Sequence, residues 1–236
     1  MPAFWAVLLL TAFVVAPIVA VLEGRPAWSA LTAPDPSWQY VTRNFFLYVS
    51  DFSVGGLPQH TATPGVINGA LWTLFYEAVC YGLILVLGVV GVLQRRRWVP
   101  VALTVLAWAA LLADELGVPM RGELFLRFFF IFLLGTLAYL FRDRIPMTRS
   151  LVVAAAVLFV ASTYLLDDYR PLGGVAFAYL IVYAMACTPW LRRRLRRDLS
   201  YGIYVLHWPV LTILVLAGAT VLTQVGYTLL ALAVTA

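Results

Sequence analysis

Glu77 stands inside an apolar stretch, NGALWTLFYEAVCYGLILVLG, that runs from Asn68 to Gly88. A helix here puts Thr73, Glu77, Cys80 and Tyr81 on one face through i−4, i+3 and i+4 spacing, with Trp72 and Tyr76 flanking it. Glu77 falls about eight residues into a span beginning near residue 69, roughly 12 Å below its outer end. A charged side chain deep in a bilayer costs about 2.5–3.5 kcal/mol even on lenient insertion scales. The carboxyl must therefore face a protein interior, either ionised beside a partner or protonated. Two uses fit: a hydrogen bond between helices, or a place on a substrate or proton path, which intramembrane acids usually mark.

A second polar group occurs in DLSYGIYVLHWPVL, residues 198–211. Ser200, Tyr204 and His207 share one helical face at i, i+4 and i+7. His207 lies about nine residues above Asp198, roughly 13 Å. On the same scale Glu77 sits near 18 Å in a hydrocarbon core about 30 Å thick. The two groups are thus predicted to meet within about 5 Å of the same height. Pro209 has no N–H, so it frees the Val205 carbonyl close to His207. A kinked polar patch of this kind suits a buried site; a satisfied packing histidine is the other reading. Arg127, in LRFFFIFLLGTLAYLFRDRIP (126–146), has three uses. It can snorkel to the outer boundary, pair with Glu77, or hold an anionic or sugar ligand. Cys80 and Cys187 both lie in apolar segments and receive no function. No zinc-ligand spacing, P-loop or glycine-rich nucleotide fingerprint is present, so no metal is expected.

The elements that must carry these groups are membrane helices. Hydrophobic residues make up 63% of the 236, charged residues 11%, and mean hydropathy is +0.93. A soluble domain of this size carries about 25% charged residues. All 16 basic residues are arginine, and most sit in short clusters between apolar runs. That arrangement is the positive-inside pattern of a multi-pass protein, not a nucleic-acid footprint on a soluble face. The predicted fold is all-α: a polytopic transmembrane bundle with spans near 3–22, 69–93, 98–113, 124–141, 150–166, 171–190 and 200–222. Seven complete spans are followed by an apolar piece, 225–236, too short to cross.

Charge orients this set. Arg95, Arg96 and Arg97, then Arg142, Arg144 and Arg149, then Arg192, Arg193, Arg194, Arg196 and Arg197 fall in alternate loops, which places those loops in the cytoplasm. The one long connection, 23–68, then lies outside. Within it, residues 38–50 are predicted as an interfacial amphipathic helix, with Trp38, Tyr40, Phe45, Phe46 and Tyr48 at headgroup depth. A loop this long is more often functional than idle. The small residues of VVAPIVAVLEG suggest a signal peptide, but no basic segment precedes them and the apolar run is long. The expectation is a single membrane-embedded domain over 1–236 that begins inside a longer protein and stops inside an eighth span.

Four stretches together resemble the acyltransferase-3 family of integral membrane O-acyltransferases. NGALWTLFYEAVCYG is similar to its N-G-x-L-W-[ST]-L-x-x-E signature, with Phe75 where proline is usual. RFFFIFLLGTLAY is similar to its Arg-led F-x-x-G-x-x-x-Y span, and LSYGIYVLHWPV to its S-Y-x-x-Y-x-x-H-x-P segment. PAFW at the start resembles the tail of the stretch that opens the family's third span. The resemblance implies about ten spans carrying an acyl group, often acetyl, from a cytoplasmic acyl-CoA to a hydroxyl of an extracytoplasmic glycan or related acceptor. It also implies a bacterial inner or plasma membrane location, with membrane lipid and a carbohydrate or lipid-linked acceptor as partners.

The family's R/K-x10-H motif, whose His is the favoured base, has no counterpart here, nor has its F-F-x-x-S-G element. On that comparison the chain lacks its first two spans, and its own activity is open. Glu77 and His207 remain as the intramembrane titratable groups suited to catalysis. Glu77 would orient the base or bind the acceptor, and His207 would line the donor tunnel. By the same resemblance Asn68, Trp72, Thr73, Tyr76, Tyr81, Arg127, Ser200, Tyr201 and Tyr204 are candidate substrate-binding residues. The cytoplasmic arginines have CoA phosphates as one use, although topology alone accounts for them. A transporter or flippase of a polar lipid or sugar would also carry buried acids, a histidine and a kinked helix. A transporter tends toward matched repeats, and none is visible. A non-catalytic remnant is the third reading.

Overall fold

A computed structural model describes residues 2–119, 121–187 and 200–219, apart from the side chains of Pro2 and Ser200. The third arginine cluster, Asp198 and the predicted eighth span lie outside the described residues. Every regular element described is helical. In chain order these are α1 (Pro2–Leu10), a π turn (Thr11–Val15), α2 (Ala16–Leu22), α3 (Ser29–Thr32), α4 (Ser37–Arg43), α5 (Thr73–Val89), α6 (Val92–Arg95), α7 (Trp98–Glu115), α8 (Glu123–Leu140), α9 (Arg149–Leu165), α10 (Arg170–Cys187) and α11 (Ser200–Leu216).

Among the described residues an apolar helix falls within each of the seven predicted spans, and four of these helices are long and apolar enough to cross a membrane: Ala3–Leu22, Trp98–Glu115, Glu123–Leu140 and Arg170–Cys187. Thr73–Val89, Arg149–Leu165 and Tyr201–Leu216 are shorter. The span predicted from residue 69 starts late for a local reason. The Asn68 side chain accepts the Ala70 N–H at 3.1 Å and holds the segment before Thr73 in a turn. It ends where Gly91 takes φ 75°, a left-handed conformation that suits glycine.

The chain divides into two compact units, residues 1–75 with 196–236 and residues 76–195, the boundary falling inside α5. In the first, α1, the π turn and α2 form one rod. Pro17 has no N–H to give, and the rod widens just before it: the Ala16 N–H bonds to the Thr11 carbonyl, an i−5 reach. The next carbonyl, that of Ala12, is met by the Ser37 hydroxyl at 2.6 Å, with the Ala30 carbonyl also in reach at 3.1 Å. One face of the rod buries Phe4, Leu8, Ala12, Val15 and Val19, while Leu9, Phe13, Val14 and Val21 stay exposed, as a lipid-facing side requires.

The segment 23–68, predicted as one long loop, is a packed layer in this unit. Val49, Val54, Leu57 and Ile67 are buried in one cluster with the rod's apolar face. The helix predicted over 38–50 stops at Arg43 because Asn44 turns its side chain onto the following strand of chain. Its amide donates to the Asp51 carbonyl at 2.7 Å, and its oxygen accepts the N–H groups of Ser50 and Asp51 at 2.9 and 3.1 Å. Tyr40 is fully buried, not at headgroup depth, whereas Trp38, Phe45, Phe46 and Tyr48 are exposed. Burial, with Asp51 nearby as the lesser cause, pushes the Tyr40 phenol up, so it stays protonated.

In the second unit, close approach rather than water exclusion must hold the helices, since lipid tails are as apolar as leucine. α10 supplies the small residues. A Cβ on Gly174 would fall 2.8 Å from the Phe130 ring of α8, and one on Gly173 would strike Ser162 of α9. Ala107, Leu111, Phe130, Leu133 and Leu134 fill this core. The Trp108 indole of α7 donates to the Pro171 carbonyl at 2.7 Å.

Candidate functional site

The first unit gathers Asn68, Thr73, Tyr204 and His207. Gly69 makes the approach possible: a Cβ there would lie 2.7 Å from the Trp208 ring of α11. The Trp208 indole in turn donates to the Val66 carbonyl at 3.3 Å. Asn68 is fully buried and commits both amide hydrogens, one to Thr11 Oγ1 and one to the Val205 carbonyl, each at 3.2 Å. That carbonyl is the one Pro209 leaves without a helical partner. Asn68 thus ties the turn before α5 to the π turn and to the interrupted rung of α11.

Beyond it runs a chain of hydroxyls. Thr73 Oγ1 donates to the Ala70 carbonyl at 3.2 Å, which leaves its lone pairs for the Tyr204 hydroxyl bonded to it. His207 Nδ1 bonds to the Tyr204 carbonyl of the same helix. A carbonyl oxygen only accepts, so Nδ1 carries the hydrogen, and in the neutral ring Nε2 keeps its lone pair. The imidazole is half-buried, 5.9 Å centre to centre from the Tyr204 ring and 6.4 Å from that of Trp208. The arrangement is an imidazole held by its own helix, on the residue whose hydroxyl meets Thr73. Such a group can take a proton from a hydroxyl. Trp72 packs half-buried against the same unit's core, and Tyr201 is exposed. The Ser200 side chain lies outside the described residues.

Glu77 belongs to the second unit and His207 to the first. Because α5 begins at Thr73, Glu77 stands in its second turn, about 6 Å along the helix. It is half-buried, with no hydrogen-bond or ion-pair partner among the described residues, and Cys80 on the same face is fully buried. Tyr76 stacks on Phe128 at 5.5 Å. Tyr81 meets Phe132 edge-on at 5.1 Å and lines a cavity of about 860 Å³.

Arg127 pairs with Glu123 and, at 3.0 Å, with Asp168. Of its three expected uses the structure therefore displays an ion pair, but with these acids and not with Glu77. Asp168 is nearly buried and also binds Arg170 at 2.8 Å. Its backbone N–H and that of Asp167 reach the Glu115 carboxylate at 3.2 and 3.0 Å. Thr11, Asp168 and Arg170 escape a reading by motif. The acid-rich run DDYR (167–170), leading into α10, is the one visible signal for Asp168 and Arg170, and Thr11 has none. No cluster of His, Cys, Asp or Glu able to hold a metal occurs among the described residues.

Comparison with known proteins gives one match. The sequence profile of acyltransferase-3, described as an acyltransferase domain, covers residues 2–236. No curated protein and no solved structure matches the chain.

Proposed function

We propose that this chain, which belongs to the acyltransferase-3 family, is a membrane acyltransferase that moves an acyl group, acetyl in the first instance, from a cytoplasmic acyl-CoA to a hydroxyl of an extracytoplasmic glycan or related acceptor. The observation that carries this reading is the His207 ring, with Nδ1–H anchored on the Tyr204 carbonyl and Nε2 the nitrogen remaining for a substrate. In the proposed step Nε2 takes the proton of the acceptor hydroxyl as its oxygen attacks the thioester carbonyl. The new C–O bond forms, the C–S bond breaks, and the proton passes to the departing CoA thiolate, which restores neutral imidazole. Thr73 and Tyr204 hold the ring's helix in register, and Asn68 acts as a positioning residue, since its amide hydrogens are already spent. Glu77, half-buried and without a hydrogen-bond or ion-pair partner among the described residues, is assigned to acceptor binding. The charge pattern of the loops supports an inner-membrane, multi-pass orientation with the donor entering from the arginine-rich side.

The test is acyl transfer by membranes containing the full chain, followed as thiol release from acetyl-CoA together with label entering a carbohydrate acceptor. His207→Gln and Glu77→Gln should each lower kcat, His207→Gln by about 10²–10⁴-fold, as expected when an acid–base group is lost. Unchanged transfer in His207→Gln removes that residue from the step. Acceptor flux without thiol release would replace the enzyme with a transporter.

A further inference from the structure

The cavity beside Tyr81 changes character from one end to the other. It is a half-open cavity of about 860 Å³, lined by α5, α6 and α8 of the second unit and the residues just after α6 and α8. Arg97, Arg142, Gln94 and Asp143 surround one end, and Ile84, Ile131, Phe132 and Gly135 form the wall toward the other. From Tyr139 back to Phe132 the wall follows α8 for seven residues, about 10 Å. Polarity therefore changes along the cavity over the distance that separates a lipid headgroup from the first part of its chains.

The polar end carries surplus positive charge. Arg142 lies over the Tyr139 ring at 4.8 Å, with Asp143 3.9 Å from its Nε. Arg95, Arg96 and Arg97 are exposed and have no carboxylate in ion-pair range among the described residues. Glycine opens the apolar end. A Cβ on Gly135 would meet no atom within 4 Å, although the residue sits in mid-helix, where glycine costs about 1 kcal/mol against alanine. The missing side chain leaves a channel along α8.

We infer that this cavity is a site for an anionic phospholipid, its phosphate between Arg97 and Arg142 and an acyl chain along Ile84, Phe132 and Gly135. Basic pockets between helices at the membrane surface favour such headgroups. A nucleotide thioester suits it less, because the long wall offers few polar groups to a pantetheine arm: the Thr136 hydroxyl and the phenols of Tyr81 and Tyr139. The inference goes beyond the acyltransferase reading and stands without it.

The experiment is native mass spectrometry of the purified full chain with phosphatidylglycerol and phosphatidylcholine supplied in equal amounts. The wild type should retain phosphatidylglycerol preferentially. Arg97→Ala and Arg142→Ala should each cut that preference about fivefold, while the lysine substitutions keep most of it. Gly135→Leu leaves every charge in place and should displace both lipids by filling the channel. Its own folding is checked by an unchanged melting temperature in detergent. Equal retention of the two lipids by wild type, or a preference untouched by the alanine and Gly135→Leu variants, overturns the assignment. Displacement of phosphatidylglycerol by free CoA at the same arginines overturns the lipid in favour of a nucleotide.

Discussion

Substituting Asn68 should reveal what the proline in α11 costs. Asn68→Ala strands the Val205 carbonyl and the Ala70 N–H, both in buried residues, while Thr11 retains its hydroxyl. A buried backbone group left unpaired costs about 1–3 kcal/mol, so stranding two should destabilise by about 2–6 kcal/mol. The number becomes diagnostic in a second background. Pro209→Ala restores an N–H four residues beyond Val205, and the helix can then satisfy that carbonyl itself. Asn68→Ala should consequently cost about 1–3 kcal/mol less in the Pro209→Ala protein than in the wild type, a coupling well above the scatter of independent sites. The assay is reversible unfolding in mixed micelles, followed by far-ultraviolet circular dichroism for all four members of the cycle. Additive effects, within about 0.5 kcal/mol, would refute the pairing of Asn68 with the vacancy left by Pro209.

Two further perturbations test the remaining polar anchors. Ser37→Ala leaves the Ala12 carbonyl without its hydroxyl donor and should cost about 1–3 kcal/mol in the same unfolding assay. In a Pro17→Ala background the cost should shrink. Asp168→Ala removes the acid shared by Arg127 and Arg170 and should destabilise by about 2–3 kcal/mol, the worth of a charge-assisted hydrogen bond; a melting-temperature series with Asp168→Asn should fall in between.

Much of this architecture was legible from the chain, and the limits have physical causes. The helices follow from long apolar runs, and the vacant Val205 carbonyl follows from Pro209 alone. What fills it was not legible, because Asn68 lies 137 residues away and only tertiary packing brings it there. Arg127 is similar: pairing with Glu77 was one of its expected uses, but the choice of Asp168 depends on how the α9–α10 connection folds back. Tyr40 looked interfacial because aromatic residues usually are at such depth, yet α4 turns it into the core once Asn44 ends the helix. Spans were overextended where side chains, not hydropathy, decide the first turn. Thr73 begins α5 only because Asn68 captures the Ala70 N–H.

The central claim is that the His207 imidazole serves as the base, with its Nδ1–H held by the Tyr204 carbonyl. Acetyl transfer by matched membranes carrying either the wild type or His207→Gln tests it most directly, with the unfolding midpoint of each protein measured alongside. The account predicts transfer lowered by about 10²–10⁴-fold at an unchanged midpoint. Transfer at the wild-type rate would contradict it.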